Sequence, residues 1–177
     1  MKRLCVLSAA IVFAVSCGSS SSSSAPSATP TTKPTLVATL SPGNEIPPIS
    51  GPESTGSGTV AVVWDTTTDS AGNITTAKVN FSVSLTGFPP GISINVAHIH
   101  QGASTCASCG VVVSTTLSAA DQLKSDSVGA VTFAKNGISV DAALAQQIIA
   151  NPSGFYFNVH SQSNPGGVAR GQLSRAQ

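Results

Sequence analysis

Three histidines, four cysteines and a few charged side chains are nearly all that this 177-residue chain offers for chemistry. His98 and His100 stand two residues apart in Ile94-Asn-Val-Ala-His-Ile-His100. On a β-strand, side chains at i and i+2 leave the same face about 6–7 Å apart, which suits two ligands of one metal ion. His160 closes Phe155-Tyr-Phe-Asn-Val-His160, where Phe155, Phe157 and Val159 alternate with Tyr156, Asn158 and His160. That histidine therefore points away from the more apolar side. Neutral imidazole is the commonest metal ligand, and three of them with an open position suit zinc or copper. Glu45 is the candidate to complete the shell or to receive a ring N–H as an outer partner. The competing reading is structural, since histidines at strand ends also hydrogen-bond nearby backbone or solvent. The face of the first histidine strand stays open: Ile94 and Val96 share parity with the two histidines, while Ala97 and Ile99 oppose them.

Cys106-Ala-Ser-Cys109 follows the histidine pair closely. In an exported protein two such cysteines form a disulfide that clamps a tight loop. A reactive thiol pair needs a helix N-terminus to lower its pKa, and the flanking residues here predict strand and turn. A mixed site with His100, six residues before Cys106, stays open. Arg170 can fork onto a carboxylate, with Glu45 as partner in a structural ion pair, or contact a ligand beside the histidines.

The charge count is low: eight Lys and Arg against seven Asp and Glu, a net charge of +1. Eight scattered cations cannot neutralise a phosphate backbone, so nucleic acid is excluded as a partner. No Gly-x-Ser-x-Gly elbow occurs. Paired carboxylates for glycoside cleavage would have to come from seven acids scattered among turns. No enzymatic activity is expected, and binding of an unidentified protein or small ligand is the default.

The elements that must position these residues begin after an unusual N-terminus. Met1-Lys2-Arg3, an apolar run from Leu4 to Val15 and the small residues before Cys17 read as a signal peptide over residues 1–16. The run is shorter than the ~20 residues a spanning helix needs. A cysteine directly after small residues resembles the lipobox of bacterial lipoproteins. That resemblance implies a diacylglycerol on the Cys17 thiol, anchorage to a lipid bilayer, and export to a bacterial outer membrane or cell surface. Ordinary signal cleavage, giving a secreted or periplasmic protein, is the alternative. Residues 17–35 then form a lipidated cysteine and a Ser/Pro/Thr tether, too poor in large apolar side chains to offset its ordering entropy.

From Thr35 onward, short runs rich in Val, Ile, Thr and Phe alternate with Gly, Pro, Asn and Asp clusters, the pattern of an all-β sandwich or barrel. Strands are expected over Thr35–Leu40, Gly58–Asp65, Asn73–Thr86, Ile92–Gln101, Val111–Thr115, Gly129–Ala134, Gly154–His160 and Val168–Leu173. Val79, Phe81, Val83 and Leu85 alternate with polar residues, so one face of the third is buried. Asp141–Ala150 breaks the pattern, with Asp141 as a cap and Ala142, Leu144, Ala145, Ile148 and Ile149 at helical spacing before Asn151-Pro152. This one short helix should cover an open end or edge of the sandwich.

Three segments together resemble the CHRD domain, the module named after chordin. They are Leu40-Ser-Pro-Gly-Asn-Glu-Ile-Pro-Pro48, Ala97-His-Ile-His-Gln-Gly102, and Tyr156-Phe-Asn-Val-His160 with Asn164-Pro-Gly-Gly167 and Arg170-Gly-Gln-Leu173. The resemblance spans about residues 36–174. Residue by residue it picks out Glu45, Pro47, Pro48, His98, His100, Gly102, Asn158, His160, Gly166, Gly167, Arg170 and Gly171. Val168-Ala169 stand where many members have an acid and Ile, and the cysteine pair lies where many carry only a Gly-rich turn. The resemblance implies an immunoglobulin-like or superoxide-dismutase-like antiparallel Greek-key sandwich, and fold alone assigns no activity. The His-x-His strand is similar to that of copper/zinc superoxide dismutase, whose two-metal site uses more histidines than three. The expectation is a lipid-anchored binding module with a candidate copper or zinc site. The competing class is a metal-free structural or adhesion module whose histidines only hold loops.

Overall fold

The computed structural model describes residues 33–177. The expected signal peptide, the lipidation residue Cys17 and most of the tether lie outside the described residues. Ten strands and one helix follow: β1 (Thr35–Leu40), β2 (Ser57–Thr68), β3 (Ile74–Thr86), β4 (Ser93–Gln101), β5 (Val111–Ser114), β6 (Leu123–Lys124), β7 (Val131–Val140), α1 (Ala142–Ala150), β8 (Phe155–Ser161), β9 (Ala169–Gln172) and β10 (Ser174–Arg175). All pairings are antiparallel, in one sheet ordered β10-β1-β2-β3-β7 and a second ordered β5-β4-β8-β9 with β6 beside β4. The all-β sandwich read from the sequence is the fold observed.

Alternation explains the core. Ala77, Val79, Phe81, Val83 and Leu85 of β3 are all buried, as are Val60, Val62 and Trp64 of β2. They face Ala97, Ile99, Phe157 and Val159 of the second sheet, and the rings of Phe81 and Phe157 meet at 5.6 Å between centroids. Burial of such side chains stabilises by roughly 1.5–3 kcal/mol each before entropy is counted. Asp141 caps α1 as expected, its carboxylate accepting from the Leu144 N–H at 3.0 Å. Ala145 and Ile148 of the helix are fully buried, and Gln146 accepts from the Ile74 N–H at 3.0 Å where β3 begins. The helix thus closes the end of the sandwich at β3.

The differences from expectation are local. Strand β7 runs six residues past the expected Ala134, because Gly137 with φ 71° absorbs an extra residue opposite β3 while Asn80 Oδ1 accepts its N–H at 2.9 Å. The two-residue strands β6 and β10 carry no periodic signal. The tether ends earlier than residue 35, since Pro34 already accepts from the Trp64 N–H at 2.9 Å.

Candidate metal centre

A β-bulge decides where the histidines point. Ile94 pairs with Ser161 and Val96 with His160, so Asn95 is an extra residue in β4. The bulge shifts parity by one. Ile94 before it and Ala97 and Ile99 after it all enter the core, leaving His98 and His100 together on the opposite face of the sheet. On neighbouring β8, Asn158 stands opposite His98, Tyr156 opposite His100 and His160 opposite Val96. All three histidines thus share the outer face of the second sheet.

That outer face is covered. Every residue of β8 is buried, because loops lie over it as a third layer. The β1–β2 connection contributes the turns Pro42–Asn44 and Pro52–Thr55. Ser41 bridges Arg170, its N–H donating to the Arg170 carbonyl at 3.1 Å. The Arg170 guanidinium donates to the carbonyls of Asn44 at 2.6 Å, Cys106 at 2.7 Å and Ser104 at 3.0 Å. It also lies over the Tyr156 ring at 4.8 Å, and Tyr156 stacks flat on His100 with centroids 4.8 Å apart. One arginine thereby fastens two loops and, through Tyr156, braces the His100 ring.

Ring nitrogens of His98, His100 and His160 all lie within 4.8 Å of one another. The centroid separations are 5.7 Å for His98–His100, 5.2 Å for His98–His160 and 6.2 Å for His100–His160. Nδ1 of His100 donates to the Cys109 carbonyl at 2.9 Å, and Nδ1 of His160 to the Pro165 carbonyl at 2.9 Å. A carbonyl only accepts, so each neutral ring carries its proton on Nδ1 and presents the Nε2 lone pair. Nε2 of His100, Nε2 of His160 and Nδ1 of His98 are buried without any hydrogen-bond partner. Three orphaned imidazole nitrogens in one place are what a metal ion would satisfy. Tetrahedral bonds of about 2.0–2.1 Å hold ligand atoms about 3.3–3.4 Å apart, so closure asks for shifts of no more than about 1.5 Å.

Electrostatics keep the rings neutral. Burial pushes the His98 imidazole down to about 4, and the neighbouring His160 and His100 rings add to the effect. Burial also lowers His100 and His160, against the opposing pull of the Cys109 and Pro165 carbonyls. At neutral pH all three offer lone pairs without first releasing a proton.

Glu45 stands beside this cluster rather than in it. The two pinned ring N–H groups go to backbone carbonyls, not to its carboxylate. Its Oε1 has no partner, and Oε2 is 3.9 Å from Arg170 Nε, too far for a hydrogen bond. Burial raises its pKa to about 7, and the Arg170 charge only partly opposes this. Gly167, with φ 135°, leaves room for it: a Cβ there would come within 2.5 Å of Asn158 Nδ2 and 2.9 Å of Glu45 Oε1. Cys106 and Cys109 are joined by a disulfide, with Cα atoms 6.0 Å apart. The mixed cysteine–histidine site left open by the sequence does not form, because both sulfurs are spent on each other.

Sequence reasoning missed two supports. Glu53 is buried and accepts from Ser161 Oγ and Asn164 Nδ2, each at 2.6 Å, fixing the loop that carries Pro165. Nothing in Gly51-Pro-Glu-Ser54 signals a buried acid. Alternation puts Tyr156 on the face it occupies, but its stacking on His100 depends on cross-strand register, which the bulge sets. Among the described residues no helix is long and apolar enough to cross a membrane. The family model described as the CHRD domain matches residues 36–173. No curated protein matches the chain.

Proposed function

Since this chain belongs to the CHRD domain family over most of its length, we propose that it is an exported, lipid-anchored binding protein holding one zinc or copper ion. The ligands are His98, His100 and His160. The observation that carries the reading is the convergence of three buried imidazole nitrogens that have no other partner, two of them fixed as acceptors by backbone carbonyls. Three neutral nitrogen ligands suit either ion and leave one coordination position open for water or an incoming group. The role is binding rather than catalysis. The Nδ1–H groups of His100 and His160 are committed to main-chain carbonyls, which orients them as ligands, and with all three rings on the ion none is left to carry protons. The apolar run ahead of Cys17 supports export and lipidation, and the partner is a protein or small ligand presented to the domain at the bilayer surface.

A second reading has one observation in its favour. The bonds from His100 to Cys109 and from His160 to Pro165 each tie down a covering loop, as expected of a metal-free surface or adhesion module. It leaves the three orphaned nitrogens without a purpose. Metal analysis and calorimetric titration of the purified protein, beside a triple His-to-Ala variant, separate the two. About one ion per chain in the parent and none in the variant is expected; negligible zinc and copper in both removes the metal reading.

A further inference from the structure

The segment between β4 and β5, residues 102–110, contains only Gly, Ala, Ser, Thr and the two cysteines. Ala103, Ser104, Thr105, Ala107 and Ser108 are exposed, so no apolar packing fixes the loop. Its root is tied: Gln101 N–H donates to Gly110 at 3.1 Å and Gly102 N–H to Gly154 at 2.8 Å. Beyond the root it is held by one internal turn bond, by the Cys106–Cys109 disulfide, and by bonds to the residues it positions. Those residues are Arg170, through the carbonyls of Ser104 and Cys106, and His100, through the carbonyl of Cys109. The Cys109 sulfur also packs where a Cβ on Gly102 would sit, pressing the bonded pair onto the end of the histidine strand.

From this geometry, and resting on the reading of the three histidines as a metal site, we propose that the Cys106–Cys109 disulfide is a redox latch on metal binding. Closed, it holds the carbonyl of Cys109 against His100 Nδ1 and so keeps Nε2 aimed at the ion. A dithiol reductant opens it: two electrons and two protons pass to the sulfurs, the S–S bond breaks to two thiols, and the reductant closes to its own cyclic disulfide. The loop then has no covalent restraint, His100 loses its fixed acceptor, and Arg170 loses the carbonyls of Ser104 and Cys106, keeping that of Asn44. Removing an outer partner of a ligating histidine typically weakens metal affinity by 10–100-fold. The protein would keep its ion in an oxidising compartment and yield it in a reducing one.

The test compares three samples: native protein, protein reduced with a dithiol that is then removed anaerobically, and the variant C106A/C109A. Zinc affinity is read by competition with a chromophoric chelator, and the His100 tautomer in metal-free protein by nitrogen-15 NMR. The expected result is a single Nδ1–H tautomer in the native protein, a mixture in the other two, and zinc binding 10–100-fold weaker in both. Equal affinity within twofold and an unchanged tautomer in all three overturns the latch but leaves the metal site standing. Tighter binding after reduction, with thiols recruited as ligands, also overturns it. Absence of zinc and copper binding in all three removes the metal reading and the latch with it. Should C106A/C109A fail to fold by circular dichroism, the reduced native chain carries the comparison.

Discussion

Replacing Glu45 by Gln should make the protein's stability less sensitive to pH between 5 and 8. The carboxylate is buried, its Oε1 has no donor, and the guanidinium 3.9 Å away spends its N–H groups on three main-chain carbonyls. Ionising it therefore removes a solvated charge from water with little in return, and its pKa rises from 4.5 to about 7. The unfolded chain loses this proton near 4.5 and the folded chain holds it to about 7. The stabilising contribution is accordingly full below 4.5 and is lost as pH rises to and through 7. At 1.36 kcal/mol per unit, the two titrations make the folded protein about 2.5 kcal/mol less stable at pH 8 than at pH 5 through this group alone. Urea denaturation of parent and E45Q in the presence of a chelator isolates it, because the histidines and all other groups titrate in both. Parent and variant curves that stay parallel from pH 5 to pH 8 would refute the claim that an unsatisfied carboxylate is buried there.

The histidines titrate in the opposite sense: with His98 lowered from 6.5 to about 4 by burial, their contribution is full above 6.5 and lost as pH falls towards 4. In the E45Q background, which removes the opposing titration of Glu45, metal-free protein should thus melt at lower temperature at pH 4.5 than at pH 6.5, with His98→Gln reducing the difference. Proton competition for the ion is weakened by the same shifts. Three imidazoles at 6.5 would lose about 50-fold in affinity between pH 7.5 and pH 6, whereas this cluster, with His98 at about 4 and the other two held below 6.5, should lose less than about 14-fold by calorimetry. Zinc at about 100 times its dissociation constant should stabilise the fold by about 2.7 kcal/mol, seen as a rise in melting temperature that a chelator reverses and His160→Ala abolishes. Arg170→Lys should cost about 2–4 kcal/mol in chemical denaturation, since an ammonium cannot reach the carbonyls of Asn44, Ser104 and Cys106 together. Gly167→Ala should cost at least about 2 kcal/mol, because φ 135° and the crowding at Asn158 and Glu45 both oppose a methyl group.

The sandwich was legible because its interior obeys a period of two. Val79 to Leu85 in β3 and Phe155 to Val159 in β8 alternate cleanly, and Asp141 with Asn151-Pro152 marks both ends of α1. Legibility fails where an extra residue enters a strand. The parity conflict at Ile94, Val96, Ala97 and Ile99 was itself the signature of the bulge at Asn95: no regular strand can bury Ile94 and Ala97 on one side. A mismatch of that kind in an otherwise apolar strand is a usable signal for a register shift beside a site.

The covering layer was not legible by periodicity, since loops have none, yet the CHRD-like segments mark it. Leu40–Pro48 supplies Ser41 and Asn44, which bond Arg170, and Glu45; Asn164–Gly167 supplies the carbonyl that pins His160 and the glycine that makes room for Asn158. His98, His100, Asn158, His160 and Arg170 all project from the same outer face beneath these loops. The core can be rebuilt from many apolar residues of suitable volume, whereas a buried polar layer tolerates few substitutions, because each orphaned group costs about 1–3 kcal/mol. Three imidazole nitrogens left unsatisfied in such a layer are expensive in the metal-free state. On the proposed metal reading, an ion bound by the three rings removes that cost and adds the free energy of its own bonds to them.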